Sequence, residues 1–186
     1  MRKVVVSEFV SLDGVFEEPA WTSPFRSAEG EAFKFAELQA ADALLLGRVT
    51  YEGFAAAWPG MAAETGAYGA MMNGYPKYVA STTLESATWN ASVLRGDLAT
   101  AVAALKDRPG RDLLVFGSGR LVAGLMAHGL VDEYRLLVFP VVLGRGRRLF
   151  PEGAEATLRL VETRAFASGV VALTYRPAVA AAAGPA

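Results

Sequence analysis

Two short segments of this chain carry the residue types from which an anion site can be built. Leu46-Gly47-Arg48-Val49-Thr50-Tyr51 and Phe116-Gly117-Ser118-Gly119-Arg120-Leu121 each join a compact apolar run to a helix-forming stretch. Free backbone N–H groups and the positive end of the helix dipole at such a junction attract a phosphate. Glycine lets the main chain approach a ligand with no Cβ in the way, and Arg48 and Arg120 can add charge-assisted hydrogen bonds. A glycine at a strand end is also a common way simply to turn, and position 122, where the dinucleotide fingerprint has its third glycine, is Val. What gives the phosphate reading weight is the pair: two such junctions at the same end of one sheet.

Other chemistry finds less material. His128 is the only histidine and falls near the predicted end of a helix, where a cation suits the dipole. Ser118 stands in Phe-Gly-Ser-Gly-Arg, not in a Gly-x-Ser-x-Gly elbow, which disfavours a hydrolase triad. One histidine and no cysteine leave no transition-metal cluster to propose. The run Gly144-Arg145-Gly146-Arg147-Arg148 suits either a substrate phosphate or a solvated loop. Trp21, Trp58 and Trp89 read first as packing residues.

The elements that must position the two junctions follow from periodicity. Val4-Val5-Val6 with Phe9-Val10 predicts a buried strand that leaves into a loop at Ser11-Leu12-Asp13-Gly14. That loop runs to about Ser27, long for a compact domain, and long loops are functional or mobile. A helix is predicted over about 29–40, a strand over 43–47, and a helix from Thr50 to about Ala57 that Pro59-Gly60 ends. Tyr78–Ser81 reads as a third strand. Asp97 is placed to cap a helix whose inner face is Leu98, Ala101, Val102 and Leu105. Leu113–Phe116 is a strand that runs into a helix with Leu121, Val122, Leu125 and Met126 inward. A long strand over Val131–Val142 and a hairpin of 157–166 with 170–175 complete the chain. Strand and helix alternate through the middle and strands dominate the end, the pattern of an α/β sheet with antiparallel strands added late.

The totals agree with one such domain. A chain of 186 residues can bury a substantial core without staples. Cysteine is absent, as suits a reducing compartment. With 18 basic and 19 acidic side chains there is no footprint of a nucleic-acid partner. No apolar run approaches the ~20 residues of a membrane span, and no signal peptide is read, so a cytoplasmic protein is expected. Pro177 to Ala186, rich in alanine, is expected to be a disordered tail after a single domain over 1–176.

In order and spacing, Ser11-Leu12-Asp13-Gly14, Ala41 to Glu52, Phe116 to Leu121 and Pro140 to Gly146 resemble the dihydrofolate reductase-like superfamily. The likeness is greatest to the reductase domain at the C-terminus of the bifunctional riboflavin-biosynthesis enzyme and to its stand-alone relatives, and spans about Arg2 to Arg176. The resemblance implies a three-layer α/β fold: a twisted, mainly parallel eight-stranded sheet with flanking helices and a C-terminal antiparallel hairpin. It implies hydride transfer from NADPH to a small heterocycle, as in 5-amino-6-(5-phosphoribosylamino)uracil reductase or dihydrofolate reductase. The alternative is a protein that binds the dinucleotide without turnover.

By the same resemblance Gly47, Arg48, Val49 and Thr50 hold cofactor phosphates, and Gly117, Ser118, Gly119, Arg120 and Leu121 hold the diphosphate. Ser81, Thr82 and Thr83 match the strand end that meets the adenosine ribose and its 2′-phosphate, with Arg48 favouring NADPH over NADH. Asp13, Gly14, Val15 and Phe16 match a mobile loop beside the nicotinamide. Counting back from Gly47 puts Glu31 where folate reductases carry an acid, though the position also suits a solvated helix glutamate. Phe16, Trp21 and Phe35 fall on the substrate side, with Asp13 and Glu31 as the catalytic candidates. The riboflavin branch usually follows Asp-Gly with lysine, and here Val15 stands instead. A homodimer is expected from the apolar stretch Leu136–Val142 and from the habit of these relatives.

Overall fold

The computed structural model describes residues 1–178; the expected tail beyond Ala178 lies outside the described residues. Eight strands form one sheet in the order β4-β3-β2-β5-β1-β6-β8-β7. They are β1 (Val4–Ser11), β2 (Ala41–Gly47), β3 (Lys77–Ala80), β4 (Ala91–Leu94), β5 (Asp112–Phe116), β6 (Glu133–Phe139), β7 (Leu158–Ala165) and β8 (Val171–Pro177). The first six in that order pair in parallel, and β8 and β7 are antiparallel additions. Five helices flank them: α1 (Ala28–Ala40), α2 (Arg48–Met61), α3 (Gly66–Gly74), α4 (Leu98–Lys106) and α5 (Gly119–Ala127). This is the three-layer α/β architecture that the resemblance implied, with the antiparallel strands at the end that the sequence pattern predicts.

The continuous apolar runs are explained by burial on both faces. Val4, Val6, Ala43, Leu45, Leu113 and Val115 point to one side and meet Val102 and Leu105 of α4 with Leu121, Val122 and Leu125 of α5. The alternate residues Val5, Leu44, Leu46 and Leu114 point to the other and meet Leu38 of α1, Tyr51 of α2 and Met72 of α3. A third cluster, centred on Leu137, Phe139, Phe166 and Val170, gathers Trp21, Phe25 and Phe33 beside the hairpin.

Several local expectations change. Helix α2 opens directly at Arg48 and continues through Pro59 to Met61. Pro59 falls in the last turn, where the missing N–H removes one bond without a long helix to break downstream. Helix α3 and strand β4 had no clear signal. The sequence of α3, Gly-Ala-Tyr-Gly-Ala-Met-Met-Asn-Gly, is poor in helix formers. It is held instead by tertiary bonds: Asn73 donates to the Trp58 carbonyl and accepts from the Trp89 indole. Strand β6 stops at Phe139 because Pro140 follows, and Pro177 belongs to β8, not to a tail. Both edges of β6 are already paired, by β1 and β8, so this strand offers no free edge to a second copy. No helix among the described residues is long and apolar enough to cross a membrane.

Leu114 sits at the centre of β5 and is almost wholly buried between the two helical layers. Leu114→Ala is expected to lower unfolding free energy by ~2–5 kcal/mol, read as a shift of the urea midpoint at unchanged slope.

Candidate functional site

The β2–α2 and β5–α5 junctions stand side by side because β2 and β5 are parallel neighbours, Leu45 pairing with Val115. From there the chain diverges. Helix α2 packs on one face of the sheet and α5 on the other, so a crevice opens at the strand ends, the place where open α/β sheets bind ligands.

One hydroxyl ties the two junctions together. The Gly47 N–H donates to Ser118 Oγ at 2.8 Å, and Ser118 Oγ donates to Thr50 Oγ1 at 2.7 Å. Gly117 and Ser118 both adopt left-handed backbone, with φ of 66° and 68°, costly for a serine and kept where surrounding structure enforces it. There is no room for side chains at these glycines. A Cβ on Gly47 would lie 2.4 Å from Ser118 Oγ, and one on Gly117 would lie 2.8 Å from Thr50 Oγ1. A Cβ on Gly119 would lie 2.3 Å from the Phe16 ring. Two glycine turns thus open two helices of opposite layers side by side, packed closely against Ser118, Thr50 and Phe16, and the N–H groups of the first helical turns beyond them could hold an anion.

The other phosphate-side residues gather around this pair or turn away from it. Ser81, Thr82 and Thr83 follow β3, whose last residue pairs with Gly47, and Ser81 Oγ accepts from the Thr83 and Leu84 N–H groups. Val49 and Arg120 are exposed at the helix starts, while Leu121 is buried in the core. Arg48 is exposed and lies along α2, its guanidinium donating to both oxygens of Glu52 at 3.0 Å.

The Asp-Gly loop is cross-linked to the basic segment. Asp13 accepts from Ser11 Oγ at 2.6 Å and from the N–H groups of Leu143 and Gly144 at 3.1 and 2.8 Å. These donors, the Ser11 hydroxyl foremost, hold its carboxyl at about 2. Val15 is buried, bridges to Arg148 and leans on Gly146, and Glu17 pairs with Arg147 at 2.7 Å. Asp13 is thus a clasp in this structure, and Val15 faces inward.

On the α1 side of the sheet lies a cleft of about 860 Å³. Phe35 lines it, Glu31 stands at its rim as an exposed residue paired with Arg26 at 3.4 Å, and Trp21 packs edge-on against the lining Phe139. Phe16 lies elsewhere, over the start of α5.

Polar residues that no motif marks lie along β1 beside the cleft and the glycine turns. Lys34 and Glu37 project from α1 onto Ser7 of β1: Lys34 Nζ lies 2.7 Å from Glu37 Oε2, which also accepts from Ser7 Oγ at 2.8 Å, and Lys34 donates to Ser7. Glu8, the next residue of β1, is buried with one carboxyl oxygen unpartnered. Burial pushes its carboxyl up to about 8, opposed by the charge of Lys34 and the Gly117 N–H and reinforced by Glu37. The available signal was a lone glutamate inside an apolar strand, and a Lys and Glu three apart beside the buried Leu38. No cluster of metal-ligating side chains occurs among the described residues.

The family described as RibD C-terminal domain matches residues 2–172. Two Bacillus subtilis proteins are similar over different spans. YyaP is 39% identical over 100 residues, 53% of each chain, so the match spans about half of YyaP's length. YwjB is 30% identical over 175 residues, 91% of this chain and 95% of YwjB. Among solved structures, a protein assigned to riboflavin biosynthesis in Shewanella sp. PV-4 superposes with a TM-score of 0.78 at 19% identity, covering 95% of this chain and 99% of that one. Dihydrofolate reductase of Enterococcus faecalis, in complex with NADP(H), superposes with a TM-score of 0.64 at 14% identity, covering 94% and 96%.

Gly47→Ala is expected to cost ~1–3 kcal/mol through the clash with Ser118. Ser118→Gly in the same background should recover part of that loss, since it removes the obstructing hydroxyl and a left-handed serine, so denaturation of the four-member cycle is non-additive. Glu8 gives a separate expectation. Its folded value lies above the ordinary carboxylate value of 4.5, so the proton-bound form favours the folded state. Stability from this group is full below pH ~4.5 and is lost as pH rises through about 8. Glu8→Gln should therefore gain on the wild type by an amount that widens across that window, measured by denaturation at several pH values.

Proposed function

The chain belongs to the RibD C-terminal domain family, within the dihydrofolate reductase-like superfamily, and from that premise we propose that it is an NADPH-dependent reductase of a small heterocycle. The observation that carries the reading is the pair of glycine turns locked by Ser118, at the crevice where α2 and α5 part. Gly47 to Thr50 and Gly117 to Leu121 would hold the phosphates there, with Ser81, Thr82 and Thr83 on the adenosine side. NADPH, when bound, supplies a hydride.

The protein's own contribution is position, exclusion of water and a proton. The aromatic cleft beside β1 would orient the substrate. The proton is assigned to Glu31, which lines the cleft and is exposed beside Arg26. Glu8 is buried and holds its proton at neutral pH, but it alternates with Ser7 and Phe9 and so lies, with Val4, Val6 and Val10, on the α4/α5 face of β1, away from the cleft. Asp13 serves as a positioning residue, keeping the loop before Phe16 in place. The solved dihydrofolate reductase with NADP(H) supports the reading at the level of fold.

Thermal shift with NADPH and NADH tests this directly. A ligand at ~100-fold its Kd adds about 2.7 kcal/mol of stability, and NADPH is expected to raise Tm more than NADH at equal concentration. Arg48→Ala should weaken NADPH about tenfold, ~1.4 kcal/mol, and leave NADH unchanged. Glu52→Gln should strengthen NADPH a few-fold, because it frees the Arg48 guanidinium from an exposed pair that is worth little. No rise in Tm with NADPH, and no NADPH oxidation with pyrimidine or pteridine substrates, would overturn the proposal.

A further inference from the structure

The ammonium of Lys34 has three N–H donors, and the described contacts use two. Ser7 Oγ and Glu37 Oε2 take one each, and the remainder of its environment is aromatic, with the Phe9 and Phe116 ring centres at 5.2 and 4.2 Å. The side chain is 13% exposed, and it lines the cleft on the α1 side of the sheet. A partly buried ammonium lining a cleft keeps one N–H to offer there. A ligand acceptor in the cleft would take the place of solvent at that donor.

The walls say what shape of ligand would bring the acceptor. Trp58 and Tyr68 lie with ring centres 5.6 Å apart, and Phe35 adjoins Tyr68 at 6.3 Å. Phe25 and Phe139 line the same cleft and meet edge to face at 6.0 Å. Burial holds the Tyr68 phenol well above its usual range, so it stays neutral. Such surfaces take flat rings.

The charges say what the ligand lacks. Among the cleft-lining residues, Arg26 and Lys34 are balanced by Glu31 and Glu64. Arg26 lies at the exposed rim, 3.4 Å from Glu31, and Lys34 is paired with Glu37. Helix α1 starts at the cleft but does not offer an anion site: the Gly30 N–H is taken by Ser27 Oγ, and Glu29 and Glu31 occupy the first turn. Arg145, Arg147 and Arg148 lie on the segment clasped by Asp13 and Glu17, away from these walls. A phosphate dianion would find a single arginine, at the rim beside Glu31, and no open helix end.

We infer that Lys34 is the polar anchor of this cleft, donating its unmatched N–H to a carbonyl oxygen or ring nitrogen of a flat heteroaromatic substrate that carries no phosphate. The inference rests on the reductase reading for the word substrate, and on the cleft alone for the binding.

Calorimetric titration without NADPH separates the two. The probes are lumazine, a flat diketone of the pteridine class, and the pair uridine and uridine 5′-monophosphate. Lumazine is expected to bind the wild type, to lose at least ~10-fold in affinity in Lys34→Met, and to regain part of it in Lys34→Arg. Uridine 5′-monophosphate should bind no more tightly than uridine. Unchanged lumazine affinity in a folded Lys34→Met, absence of lumazine binding to the wild type, or a tenfold advantage for the monophosphate would each overturn the inference. Should Lys34→Met not fold, lysine-labelled NMR of the wild type decides: the Lys34 Nζ signal must move on adding lumazine, and a stationary signal counts against it. Lumazine binding with no NADPH effect on Tm would sink the reductase reading alone, and NADPH binding with none of the lumazine effects would sink this one alone.

Discussion

The site depends on a constraint that a single hydroxyl satisfies. Two strands that end side by side, with helices leaving to opposite faces, expose two sets of unpaired backbone N–H groups at one crevice. Those groups are useful only if the two turns keep a fixed separation. Ser118 Oγ fixes it by accepting from the Gly47 N–H and donating to Thr50 Oγ1. The bond spans the two junctions, and it forms only because Ser118 takes a left-handed backbone and Gly47 has no side chain. The local cost of an αL serine, on the order of 1 kcal/mol or more, is therefore tied to the geometry of the whole crevice.

Much of this was legible in the sequence, and the exceptions have physical causes. The doubly buried strands announced themselves as unbroken apolar runs, because helices on both faces leave no polar side to alternate with. Asp97 was readable as a cap, and its carboxylate does accept from the Thr100 N–H. The two glycine junctions were readable individually. Their coupling was not, because nothing in a linear reading joins position 47 to position 118 before the strand order is known. Helix α3 was missed since its stability comes from Asn73 bonding Trp58 and Trp89 across elements, not from its own residues. The Arg48 charge was expected to be available to a ligand, yet in this structure it lies against Glu52, an i,i+4 pairing that spacing alone allowed but did not demand.

The polar group under the crevice runs against the logic of the core around it. Glu8 interrupts a strand whose neighbours Val4, Val5, Val6 and Val10 are buried, and Glu37 is buried beside Leu38. Replacing buried ionic groups with apolar ones of similar volume commonly costs nothing or stabilises. Stability alone therefore does not account for an acid with an unpartnered oxygen in the central strand. Local departures of this kind concentrate where a protein meets its ligand. Here the departure has two parts on opposite faces of β1: Ser7 joins Lys34 and Glu37 on the α1 side, where Lys34 lines the aromatic cleft, and Glu8 lies on the α4/α5 side with the Gly117 N–H near it.

The loop that follows β1 shows how the same crevice is bounded. It is fastened to the segment 143–149 at successive points: Asp13 to the Leu143 and Gly144 N–H groups, the Leu149 N–H to the Gly14 carbonyl, the Phe16 N–H to the Arg147 carbonyl, and Glu17 to Arg147. Val15 fills the space beneath, close against Gly146. A lysine at that position would have to bury its ammonium among these backbone groups or break the bridge to Arg148, so an apolar residue there follows from the clasp itself. Because the fastenings are distributed, opening one strand of this pair requires moving the other. The start of α5, where Phe16 rests on Gly119, is therefore covered by a loop whose place is set jointly by the end of β1 and by the Arg145–Arg148 segment that follows β6.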